Sequence, residues 1–269
     1  MSLRLCSVLV AILVFFLTAC GDNGSSHDPD VPRFEDYLRG ERYLKVVIEV
    51  DSVASAAPSQ AAQAFVQDVL NAVVKKPLGV EILRDQTLAP RGPEYRWTLD
   101  ALGALVQDNL DLEVPEHTIK MHAVFLDGYY AEDSGGTHTL GMAWPNHQHM
   151  VLFKEKLSDI CSSGVYASLS EVDRSLLCRN SESAVWLHQV GHLLGLVNKG
   201  VTPTSDHEDP EHPGHTKSEE SVMHWSYEWS SLNGGVVDQT YKRIMVNLDE
   251  PLDFGEECEA DLSAIRIAP

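Results

Sequence analysis

From residue 44 onward the hydrophobic positions switch between a period of two and a period of three to four, the marks of strands and helices. Leu44-Lys45-Val46-Val47-Ile48-Glu49-Val50 alternates well enough for a strand. Pro58 then opens a helix whose apolar positions, Ala62, Phe65, Val66, Val69 and Val73, share one face until Pro77 stops it. Residues 80–83 read as a short strand. Thr98 can cap a second helix carrying Leu99, Leu102, Val106 and Leu110 on one stripe. Three strand candidates follow without a helix between them, at 119–126, 139–143 and 150–153. Asn180 or Ser181 can cap a third helix that runs to about Leu194 and ends at Gly195. The order β-α-β-α-β-β-β-α predicts one α+β unit, a twisted and mostly parallel sheet with an antiparallel edge strand. Beyond Gly200 turn formers and acids dominate, which predicts an irregular C-terminal part.

The N-terminus follows another pattern. Residues 1–19 carry one cation, Arg4, ahead of an apolar run from Leu5 to Ala19. That run is shorter than the roughly 20 residues that span a bilayer. A cationic start, an apolar middle and small residues at the end describe a secretory signal. Leu17-Thr18-Ala19-Cys20 resembles the lipobox of bacterial lipoproteins. The resemblance implies cleavage before Cys20, acylation of its thiol and anchoring in the lipid bilayer of a bacterial cell envelope. Gly21 after the cysteine points to the outer membrane rather than the inner one. Residues 20–36, rich in Gly, Ser, Asp and Pro up to Pro32, are expected to be a flexible tether, with the folded domain spanning 37–269.

Composition narrows the partners. A hydrophobic fraction of 43 % supplies a core, so a largely disordered acidic chain is excluded. The net charge of −20 over 269 residues argues against nucleic acid, whose phosphates it would repel. Of five cysteines, Cys6 and Cys20 fall in the signal and anchor, leaving Cys161, Cys178 and Cys258. An oxidising compartment predicts one disulfide, and Cys161–Cys178 closes the shortest loop.

Six of the twelve histidines lie between His188 and His224. His188 and His192 are four apart on the third predicted helix, so both rings leave one face and can reach one Zn²⁺. The run His188-Gln189-Val190-Gly191-His192-Leu193-Leu194-Gly195-Leu196 resembles the zinc helix of the metzincin metallopeptidases, H-E-x-x-H-x-x-G-x-x-H. Ser221-Val222-Met223-His224-Trp225 resembles the Met-turn of that family, whose methionine lies beneath the metal. Together they imply a metzincin-like fold, one catalytic-type Zn²⁺ and cleavage of peptide bonds inside a peptide or protein substrate.

Three departures bear on that implication. Asn198 stands in the third-ligand slot, and an amide is a poor zinc ligand. His215-Thr216-Lys217-Ser218-Glu219-Glu220-Ser221-Val222-Met223 lines up with the archaemetzincin pattern H-C-x4-C-x-M, with Thr216 and Ser221 in the cysteine places. His215 is therefore the expected third ligand, ahead of His207 and His212. Trp225 stands where astacin-type turns place a tyrosine, and indole offers the metal no lone pair. Most consequential, Gln189 occupies the slot of the general base. Glutamine can orient a water but cannot take its proton, which forfeits roughly 10²–10⁴-fold in rate. Asp206, Glu208, Asp209 and Glu211, on the loop after the zinc helix, could approach as substitutes. That loop reads as a solvated surface, with a lid or a secondary Ca²⁺ or Zn²⁺ site as the sharper alternatives. His138, His147 and His149 read as surface or edge-strand residues.

Residues 139–144 match the edge strand along which metzincins lay an extended peptide, a mode that uses main-chain hydrogen bonds. Three functions follow from the sequence. The first is a membrane-anchored zinc metallopeptidase slowed by Gln189. The second is a catalytically inactive zinc-holding lipoprotein that binds peptides or an envelope protein. The third is an acidic metal-buffering lipoprotein with several weak sites.

Overall fold

The computed structural model describes residues 32–231 and 234–267, which belong to one compact unit. The signal segment, Cys6, Cys20 and most of the expected tether lie outside the described residues. Among the described residues no helix is long and apolar enough to cross a membrane.

The unit opens with α1 (Phe34–Leu38), inside the stretch expected as tether. The Phe34 ring packs over Gly195, where a Cβ would come within 2.6 Å of it, so the folded body starts before residue 37. Next come β1 (Lys45–Val53), α2 (Gln60–Val74) and β2 (Val80–Leu88). Ser59 caps α2 by accepting from the Ala62 amide, and Ala62, Val66, Leu70 and Val73 form its buried stripe. The short β3 (Arg96–Trp97) leads into α3 (Leu99–Asp108), capped by Thr98. Then follow β4 (Thr118–Phe125), β5 (Tyr129–Tyr130), β6 (His138–Thr139), β7 (Gly141–Trp144) and β8 (His149–Leu152).

Five strands form the main sheet in the order β2-β1-β4-β8-β7, parallel throughout except for β7, which runs antiparallel to β8. It is a mixed α/β arrangement with the sheet covered on both faces. Val46, Ile48 and Val50 of β1 join the larger core, and Val53, Val124 and Val151 join a second core with Leu102 and Val106 of α3. The strand expected at 139–143 is split. His138 and Thr139 pair with β9 (Trp229–Ser231), whereas β7 alone forms the sheet edge.

Three further features differ from the sequence expectations. A helix not anticipated, α4 (Lys154–Cys161), precedes the helix that carries His188 and His192, and Cys161 is bonded to Cys178, as expected, with Cα atoms 5.5 Å apart. That helix, α5 (Glu171–Leu193), starts nine residues before Asn180, with Ser170 as its cap. Asn180 is buried in its middle and donates to the Asp249 carbonyl at 2.6 Å. A tertiary partner, not a helix end, satisfies this residue. Finally, the C-terminal part is not irregular throughout. After β9 and β10 (Gly234–Gly235) it forms α6 (Val236–Met245) and α7 (Gly255–Ile267). Val236, Val237, Thr240 and Ile244 of α6 are buried, a helical stripe overlooked among the turns.

Candidate metal centre

Near the C-terminal end of α5, His188 and His192 point the same way, with ring centroids 4.6 Å apart and Nε2 atoms 3.0 Å apart. The helix stops because Gly195 takes a left-handed conformation (φ 78°), and the chain turns away from the axis. It returns at His215, whose ring stacks on His188 at 5.3 Å. Two carbonyls fix the rings. His188 Nδ1 bonds the Val222 carbonyl, and His215 Nδ1 lies 3.3 Å from the His212 carbonyl. A carbonyl can only accept, so these Nδ1 atoms carry the protons and each Nε2 keeps its lone pair.

The fourth member is one the sequence did not single out. Glu228 follows a 3-10 turn, Trp225–Tyr227, and its Oε1 lies 3.3, 3.0 and 3.2 Å from Nε2 of His188, His192 and His215. All four ligand atoms lie within 4.8 Å of one another. Four of the six separations are thus 3.0–3.3 Å, the spacing of ligands that each lie about 2 Å from a shared Zn²⁺. His215 Nε2 is buried and makes no aligned hydrogen bond, so its lone pair is unspent. The residues therefore fit a metal ion. Electrostatics agree: burial, reinforced by His188 and His215 against the pull of Glu228, pushes the His192 pKa down to about 4. Burial opposes ionisation of Glu228, yet the three imidazoles around it hold its carboxyl well below the usual range. Neutral imidazole and ionised carboxylate are the metal-binding forms.

Met223 lies under α5, fully buried. Its sulfur would be 2.2 Å from a Cβ at position 191, so only glycine there lets the Met-turn close on the helix. Gln189 is also fully buried and packs against Gly141 of β7, where a Cβ would lie 2.7 Å from its Nε2. Neither amide atom of Gln189 has a hydrogen-bond partner. A cavity of about 210 Å³ opens over His192, His215 and Glu228, bordered by Ala143, Pro145, Lys199 and Pro213. It lies at the sheet edge formed by β7.

The other histidines of the cluster-rich segment go elsewhere. His207 is buried against Asp261 (2.8 Å) and Thr216 (3.2 Å). His212 pairs with Asp209 (2.7 Å) and stacks on Trp225, which stacks in turn on Trp229. Asn198 bonds Glu208. None of the loop acids offered as substitutes for a base joins the centre: Asp206 pairs with Lys217, Glu208 holds the Gly214 amide, Asp209 holds His212, and Glu211 stays on the surface. Thr216 and Ser221, in the cysteine places, make hydrogen bonds instead, Ser221 to the Phe254 carbonyl. Among the described residues, no group able to hold a cation lies on the loop 206–212.

A second buried cluster, Glu49, Asp51 and His122, also brings three ligand atoms within 4.8 Å. His149, expected at the surface or on an edge strand, is buried beside it on β8, one strand in from the edge, with its Nδ1 3.3 Å from that of His122. The alternation of Glu49 and Asp51 with Ile48 and Val50 was its sequence signal. Glu228 had a weaker one, a lone acid five residues beyond Met223.

No family model matches the chain, and no curated protein matches it. Among solved structures, an archaemetzincin from Methanopyrus kandleri aligns over 84 % of this chain and 96 % of its own, at 14 % identity and a TM-score of 0.45.

Proposed function

We propose that the chain is a zinc metallopeptidase-type protein in which His188, His192 and His215 hold one Zn²⁺ and Met223 forms the floor of the site. The observation that carries this reading is the convergence of three imidazole Nε2 atoms, two of which, on His188 and His215, keep their lone pairs because Nδ1 gives its proton to a carbonyl. Bound there, the ion would supply a Lewis acid for a peptide carbonyl and acidify a water. The chain's own residues set the rest. The edge strand β7 offers main-chain groups to an extended peptide beside the cavity. Gln189 sits in the base slot and can donate or accept a hydrogen bond but not take up a proton, so hydrolysis is slow. Anchoring through Cys20 would hold this centre at a bacterial envelope membrane.

One observation favours a second reading, a zinc-holding protein that binds peptides without cleaving them: the buried, unpartnered amide of Gln189. Metal analysis of the full-length protein tests the common core of both. About one zinc per chain is expected, lost in His188→Ala and His192→Ala and kept in His207→Ala and His212→Ala. Full zinc content in the first two variants would refute the assignment. Peptide binding with no turnover, at full zinc occupancy, selects the second reading over the first.

A further inference from the structure

Peptidase-type zinc sites use three protein ligands and leave a fourth position open for water and substrate, whereas closed sites fill all four from the protein. In this chain the fourth corner is filled. From the position of its carboxylate we infer that Glu228 is a fourth protein ligand, which caps the metal from the cleft side and closes the site at rest. The inference rests on the zinc reading of the three histidines and says what regulates access to that centre.

A hydrogen bond from His192 Nε2, 3.0 Å from Glu228 Oε1, does not by itself account for where the carboxylate sits. With the Nδ1 protons of His188 and His215 given to the Val222 and His212 carbonyls, their Nε2 atoms are acceptors. Glu228 Oε1 is an acceptor too, yet it lies 3.3 and 3.2 Å from them. Acceptors gathered at these distances repel one another unless a positive charge sits between them. A divalent cation at the centre of the four atoms supplies that charge, with one negative ligand offsetting half of it.

The carboxylate is also held there by the fold. The Glu228 carbonyl accepts from the Leu140 amide at 2.8 Å, and the next residue, Trp229, pairs with Thr139 in the β6–β9 ladder. These links tie Glu228 to the segment that continues into the edge strand β7. The side chain itself is about one-third exposed, so it borders the cavity and can swing out without disturbing the core. A water or peptide carbonyl must displace it to reach the metal. Capping by Glu228 and the Gln189 substitution thus act independently: one limits access to the metal, and the other limits proton transfer.

The test uses full-length protein loaded with Co²⁺, whose visible ligand-field spectrum reports the ligand set, together with Zn²⁺ affinity by chelator competition. Removing the ligand in Glu228→Ala should weaken Zn²⁺ binding by at least the roughly 10- to 100-fold that loss of a merely supporting group causes. The same change should alter the Co²⁺ spectrum. Azide should shift the spectrum of Glu228→Ala at concentrations that leave the unaltered protein unchanged. Glu228→Gln, which keeps the side-chain shape, should behave in the same direction and serves if the alanine variant folds poorly. Equal Zn²⁺ affinity in the variants, with the unaltered protein responding to azide as they do, would overturn the capping role and leave the three-histidine site standing. A chain that takes up no metal at all would overturn both.

Discussion

Among the described residues, two buried clusters bring a histidine and carboxylates together with at least three ligand-type atoms, and they differ in how their lone pairs are used. In the Glu49–Asp51–His122 cluster the polar atoms are spent on protein partners. Asp51 accepts from the Gln86 amide (2.8 Å) and faces His122 Nε2 (3.0 Å), and Glu49 accepts from the Asp111 and Leu112 amides and from Lys120. In the α5 cluster His188 and His215 spend their Nδ1 protons on the protein, and the Nε2 atoms of all three histidines gather with Glu228. Nearness of ligand-type atoms is common to both. Unspent lone pairs are not, and they make the α5 cluster the candidate metal centre and the other a structural support for the sheet.

The largest effect expected is on catalysis. Gln189→Glu restores a proton acceptor in the base slot and should raise peptide hydrolysis by roughly 10²–10⁴-fold at equal zinc occupancy. An unchanged rate would place the block elsewhere. The comparison of clusters itself is sharpened by thermal unfolding. Saturating Zn²⁺, at about a thousand times its dissociation constant, should stabilise the protein by roughly 4 kcal/mol. His188→Ala should abolish that gain, whatever the loss of its bond to the Val222 carbonyl costs the metal-free protein. His122→Ala should do the reverse, costing the metal-free fold roughly 3–5 kcal/mol for a broken buried pair while keeping the zinc response.

A smaller effect concerns pH. Burial, with His122, His147 and Lys120 as neighbours, depresses the His149 pKa from 6.5 to about 4. Between these values the unfolded chain binds the proton and the folded chain does not, so stability falls as pH drops from about 6.5 to 4 and levels off below that. The loss is at most about 3 kcal/mol, and His149→Gln should flatten this part of the stability–pH curve. An identical slope in the variant would contradict the assignment. Smallest is the gain from Gln189→Leu, which removes an unpartnered buried amide and should stabilise the metal-free protein by about 1–2 kcal/mol, measured by denaturant unfolding. Destabilisation instead would mean that the amide has a partner in the folded protein.

Much of this was legible in the sequence because it is written in local periods. Ala62, Val66 and Val73 of α2 and the stripe of α3 needed only helical spacing, and the His188/His192 pair needed only the four-residue step. The start of α5 was not legible, since Asn180 has the chemistry of a cap and its partner, the Asp249 carbonyl, is 69 residues away. Glu228 was hidden for the same reason. Its place depends on a ladder between Thr139 and Trp229, a long-range pairing that no local pattern announces. The loop acids were the nearer candidates in sequence, but each has a partner or a surface position of its own.

A zinc-soaked crystal of the full-length protein, measured at the zinc absorption edge, tests the central claim most directly. One anomalous peak about 2.0–2.1 Å from the Nε2 atoms of His188, His192 and His215 is expected. A peak between Asp51 and His122, or none at the end of α5, would contradict it.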